Sequence, residues 1–291
     1  MNRYRSLLFV PGNKPLWFKK VPGYETDAVI LDLEDSVPPE VKEQARLDVA
    51  NAISEIASSG TKVFVRINKG LQGFDLEDVK ATLSVDLEGF VLPKVEGPEE
   101  IEELSKKLAE IESAKGIQEG TVKLLPILET ARSMYFAYEI AICSRVIGIT
   151  GLSAKNGDVE RALGTQWTAD GLETLYMRSK VVMAARAANV TPIGGLWQDV
   201  HNLEGLKKSS SFNRQLGFDG ELLLHPSNVS IVNAIYSPTE EEIAFYEGMV
   251  QAFRNAEEQG ISAIMYEGDH IDYAHVKTAE TILSYAKSLN R

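Results

Sequence analysis

Short apolar runs alternate with longer amphipathic stretches along most of this 291-residue chain. Runs of this length are typical of buried strands, and eight are predicted as strands: residues 6–10, 28–33, 62–67, 89–94, 122–128, 145–150, 190–196 and 220–225. Residues 38–59 and 171–188, which lie between such runs, have the 3.6-residue spacing of amphipathic helices. This alternation predicts a parallel sheet covered by helices.

Eight strands favour closure into a (β/α)8 barrel, although an open, doubly wound sheet also fits the alternation. Polar side chains at or after the downstream strand ends help to separate the two: Glu34, Asp35, Arg66, Lys94, Glu129, Asp158, Trp197 and His225. In a barrel these ends converge on one face, whereas an open sheet would spread them along an edge. We therefore expect an α/β fold in which residues 1–235 form a (β/α)8 TIM barrel.

Residues 236–291 follow the eighth strand and predict a C-terminal helix–hairpin–helix extension. The stretch 237–260 begins with Ser-Pro-Thr, a capping signal, and predicts a long helix. The stretch 261–271 predicts a two-stranded hairpin around Glu267–Gly268, and a last helix is expected over residues 272–291.

Composition restricts the partners that we expect. A formal net charge of −12 argues against general binding to nucleic acid or to an anionic membrane, but not against an acidic small molecule. Cys143 is the single cysteine, so no intramolecular disulfide can form and a reducing, cytoplasmic location is expected. No apolar run approaches the roughly 20 residues needed to span a membrane, and the N-terminus predicts a strand rather than a secretory signal.

Carboxylates would gather at one face of such a barrel: Glu34, Asp35, Glu129 and Asp158. Their repulsion would be relieved by a hard divalent cation, and Mg²⁺ takes one or two protein carboxylates directly. Glu129 and Asp158 are then the candidate ligands, with Glu34 and Asp35 accepting hydrogen bonds from water on the ion. Zinc is not indicated, because the chain has one cysteine and four histidines without ligand spacing.

Each of these residues also has a purely structural interpretation. A glutamate after an apolar run, such as Glu129, is common at a helix N-terminus, and Asp158 lies in Asn-Gly-Asp, an ordinary turn sequence. Arg66 ends a buried strand, where a charge requires an anion. It could form a salt bridge to Glu34 or Asp35, or it could be a fork that holds a substrate carboxylate or carbonyl.

Nine short motifs along the chain match those of one known family, in the same order. They are RSLLFVPGN, VILDLEDSV, VRIN, GFVLPKVE, LLPILET, GDVERALG, GFDGELLLHPSN, NAIYSPTEEEI and GDHID. Together they resemble the HpcH/HpaI aldolase–citrate lyase superfamily, and within it the citrate lyase β-subunit-like acyl-CoA lyases. The resemblance covers nearly the whole chain.

The resemblance implies a Mg²⁺-dependent (β/α)8 barrel that assembles as a trimer or hexamer. It also implies cleavage or formation of a carbon–carbon bond between an acyl-CoA and a 2-oxo acid, as in malyl-CoA or citramalyl-CoA lyases. A citrate lyase β-subunit that acts on a carrier-protein thioester is one alternative. A thioester hydrolase or a malate-synthase-like enzyme is another, and a non-catalytic binding barrel is the least compatible with the residues retained.

By the same resemblance, Glu129 and Asp158 are the expected metal ligands. Arg66 is expected to grip the oxo acid and the enolate oxygen during catalysis. Glu34 and Asp35 are expected to act with it by holding the water molecules of the metal.

The resemblance further places Lys94 and Gly157 among the substrate-binding residues, and Lys155 stands where the family usually has glycine. Asp272, in GDHID, matches an acid/base aspartate that reaches a neighbouring subunit's site. Burial in such a lid would move the pKa of Asp272 toward neutrality. The same aspartate can equally cap the last helix, and the two roles are compatible.

Overall fold

Eight parallel strands close into a barrel in the computed structural model, which describes residues 4–152 and 154–289. The strands are β1 (Ser6–Pro11), β2 (Ala28–Asp32), β3 (Lys62–Arg66), β4 (Gly89–Leu92), β5 (Lys123–Leu128), β6 (Gly148–Gly151), β7 (Thr191–Gly194) and β8 (Gly220–Leu223). Each strand pairs with the next, and β8 pairs with β1. The predicted α/β barrel is therefore confirmed, and the open sheet is excluded.

Helices cover the barrel strands, as the alternating pattern predicts. They are α1 (Pro15–Phe18), α2 (Lys42–Ser58), α3 (Leu76–Thr82), α4 (Pro98–Ala114), α5 (Ala131–Tyr135), α6 (Ala137–Ala141), α7 (Asp158–Leu163), α8 (Leu175–Ala187), α9 (Leu203–Leu216) and α10 (Val229–Tyr236). A short hairpin joins Lys69–Gly70 to Gly73–Phe74. Short 3₁₀ turns occur at Val21–Tyr24, Pro39–Val41, Leu172–Thr174 and Pro226–Asn228.

The register between β2 and β3 determines which polar residues meet at the strand ends. All five residues of β2 are buried, so this strand is fixed on both faces. Ala28 lies opposite Lys62, and Asp32 therefore lies opposite Arg66 at the last position of each strand. The Asp32 carboxylate and the Arg66 guanidinium therefore lie side by side at the carboxyl end of the barrel.

The C-terminal residues form a helix, a hairpin and a second helix, as predicted. They are α11 (Glu240–Glu257), β9 (Ala263–Tyr266), β10 (Asp269–Asp272) and α12 (Tyr273–Leu289). Thr239 and Glu242 form the capping box of α11. Glu267 and Gly268 have φ of 46° and 96°, which fits the tight turn of a two-residue hairpin. A small core joins these elements: Met249, Val250, Phe253, Ile271, Val276 and Ala279.

The chain divides into two compact units, one that ends at Asn233 and one that starts at Ala234. The expected functional division, a catalytic barrel over residues 1–235 and a lid over 236–291, stays a prediction. Across residues 4–152 and 154–289, every helix is too short or too polar to cross a lipid bilayer.

Candidate active site

A cavity of about 480 Å³ opens where the carboxyl ends of the barrel strands meet. Its charged lining side chains are Asp32, Asp35, Arg66, Glu129, Asp158 and Arg161. Its apolar wall includes Phe9, Ile127, Leu152 and Leu222. The cavity therefore combines a cluster of acids with two arginines at the face where barrel enzymes carry out their chemistry.

Asp32 and Arg66 form a two-pronged ion pair at the base of this site. Arg66 Nε donates to Asp32 Oδ1 at 2.6 Å, and Nη2 donates to Oδ2 at 2.7 Å. The Phe9 ring packs against the guanidinium at 4.9 Å from the ring centroid. Burial would raise the pKa of Asp32, but the hydrogen bonds and charge of Arg66 outweigh it and lower that pKa. Asp32 is thus a fixed anion that orients Arg66.

The carboxylates of Glu34 and Asp35 lie beside cationic side chains of the protein. Glu34 is buried, and its Oε2 lies 3.0 Å from Arg66 Nη1. Lys94 Nζ forms an ion pair with Glu34 Oε1 and lies 3.2 Å from Asp35 Oδ1. Burial still raises the pKa of Glu34, against the effect of Arg66 and Lys94. Glu34 and Asp35 therefore have cationic partners within the protein itself, and their expected role in holding the water molecules of a metal ion stays a prediction.

These contacts show that Arg66 forms salt bridges within the protein, as one of its two interpretations predicts. The salt bridge to Glu34 exists, but the main partner is Asp32, to which sequence reasoning gave no role. Guanidinium has five N–H donors, and these three contacts leave one on each terminal nitrogen. Because Arg66 also lines the cavity, it can still act as a fork for a substrate oxygen.

Glu129 follows β5 and is held by the backbone of Lys94. The Lys94 N–H donates to Glu129 Oε1 at 2.7 Å, and Lys94 has φ of 51°, an uncommon value for a side chain with a Cβ. Thr130, not Glu129, caps α5, so the structural interpretation of Glu129 as a helix-start residue does not apply. Burial, with help from the Asp158 charge, raises the pKa of Glu129 to about 7. A carboxyl with such a pKa is poorly compensated by its protein neighbours.

Asp158 begins α7, and Gly157 precedes it as the cap residue. Both residues line the cavity, as expected from the sequence. Asp158 Oδ1 accepts a hydrogen bond from Arg161 Nη2 at 2.5 Å. Asp158 and Glu129 therefore face the same cavity. Glu129 follows β5, and Asp158 lies in the segment that follows the neighbouring strand β6.

The donor set fits a magnesium ion. Glu129 Oε2 and Asp158 Oδ2 accept no hydrogen bond from any residue in the described part of the chain, whereas their partner oxygens are engaged. Within residues 4–152 and 154–289 no three His, Cys, Asp or Glu side chains cluster so as to hold a metal. Two carboxylate oxygens, with the other positions filled by water and substrate, suit Mg²⁺ better than zinc or calcium.

Asp272 ends β10 in the C-terminal unit and caps α12. Its Oδ1 accepts a hydrogen bond from the Ala274 N–H at 2.9 Å and lies 2.6 Å from His275 Nδ1. The hydrogen bonds from His275 lower the pKa of Asp272, and its side chain is partly exposed. The expected shift of this pKa toward neutrality depends on burial against a neighbouring subunit and stays a prediction. The capping role is present, and the role in a neighbouring subunit stays a prediction.

Sequence reasoning left two residues of the site without a role. Asp32 carries a weak signal, since it is the charged last residue of an otherwise apolar, fully buried strand. Arg161 carries none, because an arginine in a short polar helix is normally a surface residue.

The fold and this site define a (β/α)8 barrel with an open pair of carboxylates beside a fixed arginine at the carboxyl end of its strands. Residues 5–226 match the model of the HpcH/HpaI aldolase/citrate lyase family, and the chain belongs to that family of aldolases and lyases. The expectation drawn from the nine motifs is confirmed.

Three known proteins show how far this similarity extends. Citrate lyase subunit beta of Haemophilus influenzae is 31% identical over 289 residues, 99% of this chain and 98% of the relative. Mitochondrial citramalyl-CoA lyase of Rattus norvegicus is 30% identical over 295 residues, 98% of this chain and 86% of the relative. CitE of Mycobacterium tuberculosis, solved in complex with magnesium, acetoacetate and coenzyme A, is 27% identical with a TM-score of 0.77 and covers 98% of each chain.

Proposed function

We propose that this chain is a Mg²⁺-dependent carbon–carbon lyase that cleaves, or forms, a 3-hydroxyacyl-CoA such as malyl-CoA or citramalyl-CoA. The products are an acyl-CoA and a 2-oxo acid. The observation that carries the proposal is the common cavity of Glu129, Asp158 and Arg66, in which the two carboxylates each keep an oxygen open. The family membership and the citramalyl-CoA lyase relative support it.

Such a cleavage requires removal of the hydroxyl proton and stabilisation of negative charge on the carbonyl and thioester oxygens. Glu129 and Asp158 would hold the magnesium ion. When bound, the ion supplies Lewis-acid polarisation of substrate oxygens.

In this proposal Asp32 orients Arg66, and Arg66 donates hydrogen bonds to substrate oxygens. Asp32 fixes the plane of the guanidinium through two hydrogen bonds, so less side-chain entropy is lost when substrate binds. The free N–H groups of the terminal nitrogens then donate to the developing enolate oxygen or to the oxo acid.

Asp272 would complete the site from a neighbouring subunit of a trimer or hexamer. It would serve as the base that accepts the hydroxyl proton of the substrate in the direction of cleavage. A cytoplasmic enzyme is proposed because the one cysteine, Cys143, is free and buried.

The test is a panel of 3-hydroxyacyl-CoAs, incubated with the purified protein in Mg²⁺ or in EDTA. Released oxo acid and released free CoA are measured separately, because a lyase yields acyl-CoA whereas a thioesterase or synthase yields the free thiol. We expect oxo acid without free CoA, and only with Mg²⁺.

Glu129→Ala should abolish this activity while the fold is retained. Glu110→Ala, on the exposed surface of α4, is the matched control and should behave as the wild type. Unchanged turnover in Glu129→Ala, or turnover in EDTA, would contradict the proposal.

A citrate lyase β-subunit that acts on a carrier-protein thioester is the second candidate, favoured by the Haemophilus influenzae relative. It predicts activity on a citryl thioester of a carrier protein and none on CoA thioesters. The same panel, extended by that substrate, separates the two.

A further inference from the structure

Arg161 lies beside a candidate metal carboxylate and inside the lining of the cavity. Its Nη2 is 2.5 Å from Asp158 Oδ1, and its Nη1 donates to the Asn156 carbonyl oxygen at 2.6 Å. The side chain is 65% exposed, so the remaining N–H donors face solvent or the cavity rather than protein. Three of the five guanidinium donors are thus open.

The two cationic residues that line the cavity differ in how far their charge is already used. Arg66 contacts Asp32 with two hydrogen bonds and Glu34 with a third contact. Arg161 contacts one carboxylate, that of Asp158. Of the two arginines that line the cavity, Arg161 therefore has more N–H donors open to a further anion.

We propose that Arg161 binds a second carboxylate on the oxo-acid half of the substrate and so favours thioesters whose released oxo acid is dicarboxylic. The inference rests on the proposed carbon–carbon lyase reaction and adds to it a residue and a charge preference. Among 3-hydroxyacyl-CoAs it ranks a citryl-type thioester, which releases oxaloacetate, above malyl-CoA and citramalyl-CoA, which release monocarboxylic acids. Arginine offers a planar fork that matches a carboxylate with two parallel hydrogen bonds.

The position of Arg161 favours the acid half of the substrate over CoA. The guanidinium touches Asp158, a candidate ligand of the ion that would hold the oxo-acid oxygens. The phosphates of CoA are separated from the reacting carbon by the whole pantetheine arm. A cation in contact with Asp158 is therefore within reach of a short side group on the acid, not of those phosphates.

The first test compares wild type and Arg161→Gln on three CoA thioesters that release glyoxylate, pyruvate or oxaloacetate. For the thioester that releases oxaloacetate we expect kcat/KM to fall about 10- to 100-fold, the usual effect of losing hydrogen bonds to a charged group. The other two should change by less than about threefold, as for an exposed ion pair.

Lys155→Gln is the matched control, since it removes one positive charge from the same loop. Lys155 Nζ lies over the Trp167 ring, 5.7 Å from its centroid, and Lys155 does not line the cavity. This variant should keep the wild-type ranking of the three substrates.

The second test needs no turnover. Calorimetric titration of oxaloacetate and of pyruvate, both with Mg²⁺, gives their Kd for wild type, Arg161→Gln and Arg161→Lys. We expect Arg161→Gln to weaken oxaloacetate alone, and Arg161→Lys, which keeps the charge but not the fork, to recover part of the loss.

Equal weakening of both acids, or of all three thioesters, would overturn the inference, because Arg161 would then orient Asp158 or contact CoA. Equal wild-type affinity for the two acids would also overturn it. If the wild type cleaves no CoA thioester, the proposed function fails, and the titration still decides the role of Arg161.

Discussion

The backbone N–H of Lys94 holds Glu129 Oε1 at 2.7 Å, while Lys94 Nζ forms ion pairs with Glu34 and Asp35. One residue therefore connects the candidate metal carboxylate to the acidic pair that follows β2. Lys94 achieves this with φ of 51°, a conformation that costs about 1 kcal/mol for a residue with a Cβ. The contacts on both sides of Lys94 offset that cost.

Lys94→Met tests the two functions of this residue separately. The side-chain change removes the ammonium beside buried Glu34, so the free energy of unfolding should fall by about 1–2 kcal/mol. The backbone N–H is kept, so the affinity for Mg²⁺ should change little. Urea unfolding and a Mg²⁺ titration measure the two effects. Lys106→Met, on the exposed side of α4, is the control. A large loss of Mg²⁺ affinity would show that the ammonium, not the backbone, supports Glu129.

Asp32→Asn should be strongly destabilising although it is nearly isosteric. It leaves the buried guanidinium of Arg66 with Glu34 as its main anion, and removal of one partner of a buried pair typically costs about 3–5 kcal/mol. Urea unfolding at pH 7 measures the loss. In an Asp32→Asn, Arg66→Met double variant the loss should be smaller than in Asp32→Asn alone. A double variant less stable than the single one would refute the coupling.

Glu112 should make stability depend on pH in the acid range. Its fully buried carboxylate binds Arg145 Nη1 at 2.9 Å and accepts the N–H groups of Gly120 and Val122, each at 2.9 Å. Burial would raise the pKa of Glu112, but these donors outweigh it and lower that pKa below the usual 4.5. The unfolded chain therefore takes up this proton first as pH falls, so the stabilisation is complete above about pH 4.5 and is lost below it.

Glu112→Gln should lower the free energy of unfolding by about 3–5 kcal/mol at pH 7, because the buried Arg145 charge loses its anion. Below the folded-state pKa the difference from wild type should shrink. Unfolding curves at pH 7 and at about pH 3.5 check this. Glu119→Gln, an exposed glutamate, is the control. A difference that stays constant with pH would contradict the assigned ionisation.

Asp272→Asn separates helix capping from proton transfer. Asparagine caps a helix about as well as aspartate, so the melting temperature should stay nearly unchanged. If Asp272 acts as a base, kcat should fall about 100-fold or more. Asp272→Ala, which loses the cap as well, should also be less stable by about 1 kcal/mol. Wild-type turnover in Asp272→Asn would remove Asp272 from the chemistry.

Mixing Arg66→Ala and Asp272→Asn proteins tests whether the site is shared between subunits. After subunit exchange, some assemblies would hold one site with both wild-type residues, and part of the activity should return. Labelled subunits prove that exchange has occurred. Exchange without recovery would argue against action in a neighbouring subunit.

Much of the fold could be predicted from periodicity, because each strand is a short apolar run and each covering helix has an apolar stripe. The turn at Glu267–Gly268 could be predicted from Gly268, because a two-residue hairpin needs positive φ, which glycine adopts readily. The Asp32–Arg66 pair could not be predicted, since it depends on the register of β2 and β3. The placement of Lys94 depends on one backbone angle that its sequence does not favour.

The candidate ligands Glu129 and Asp158 were predictable as a pair only through barrel closure, which brings distant strand ends together. The ion pair of Glu34 with Lys94 could not be predicted, because sequence spacing does not reveal which long cationic side chains reach across the barrel mouth. Lys94 lies 60 positions from Glu34 along the chain and is its direct neighbour in space.

The pairing of Asp32 with Arg66 has a mechanical consequence. The two residues end adjacent strands, so their two hydrogen bonds connect β2 and β3 at the carboxyl end of the barrel. This connection forms within the protein and does not depend on a ligand. The cavity is therefore preorganised. Substrate can bind without a rearrangement of the ends of β2 and β3, so its binding energy remains available for the chemical step.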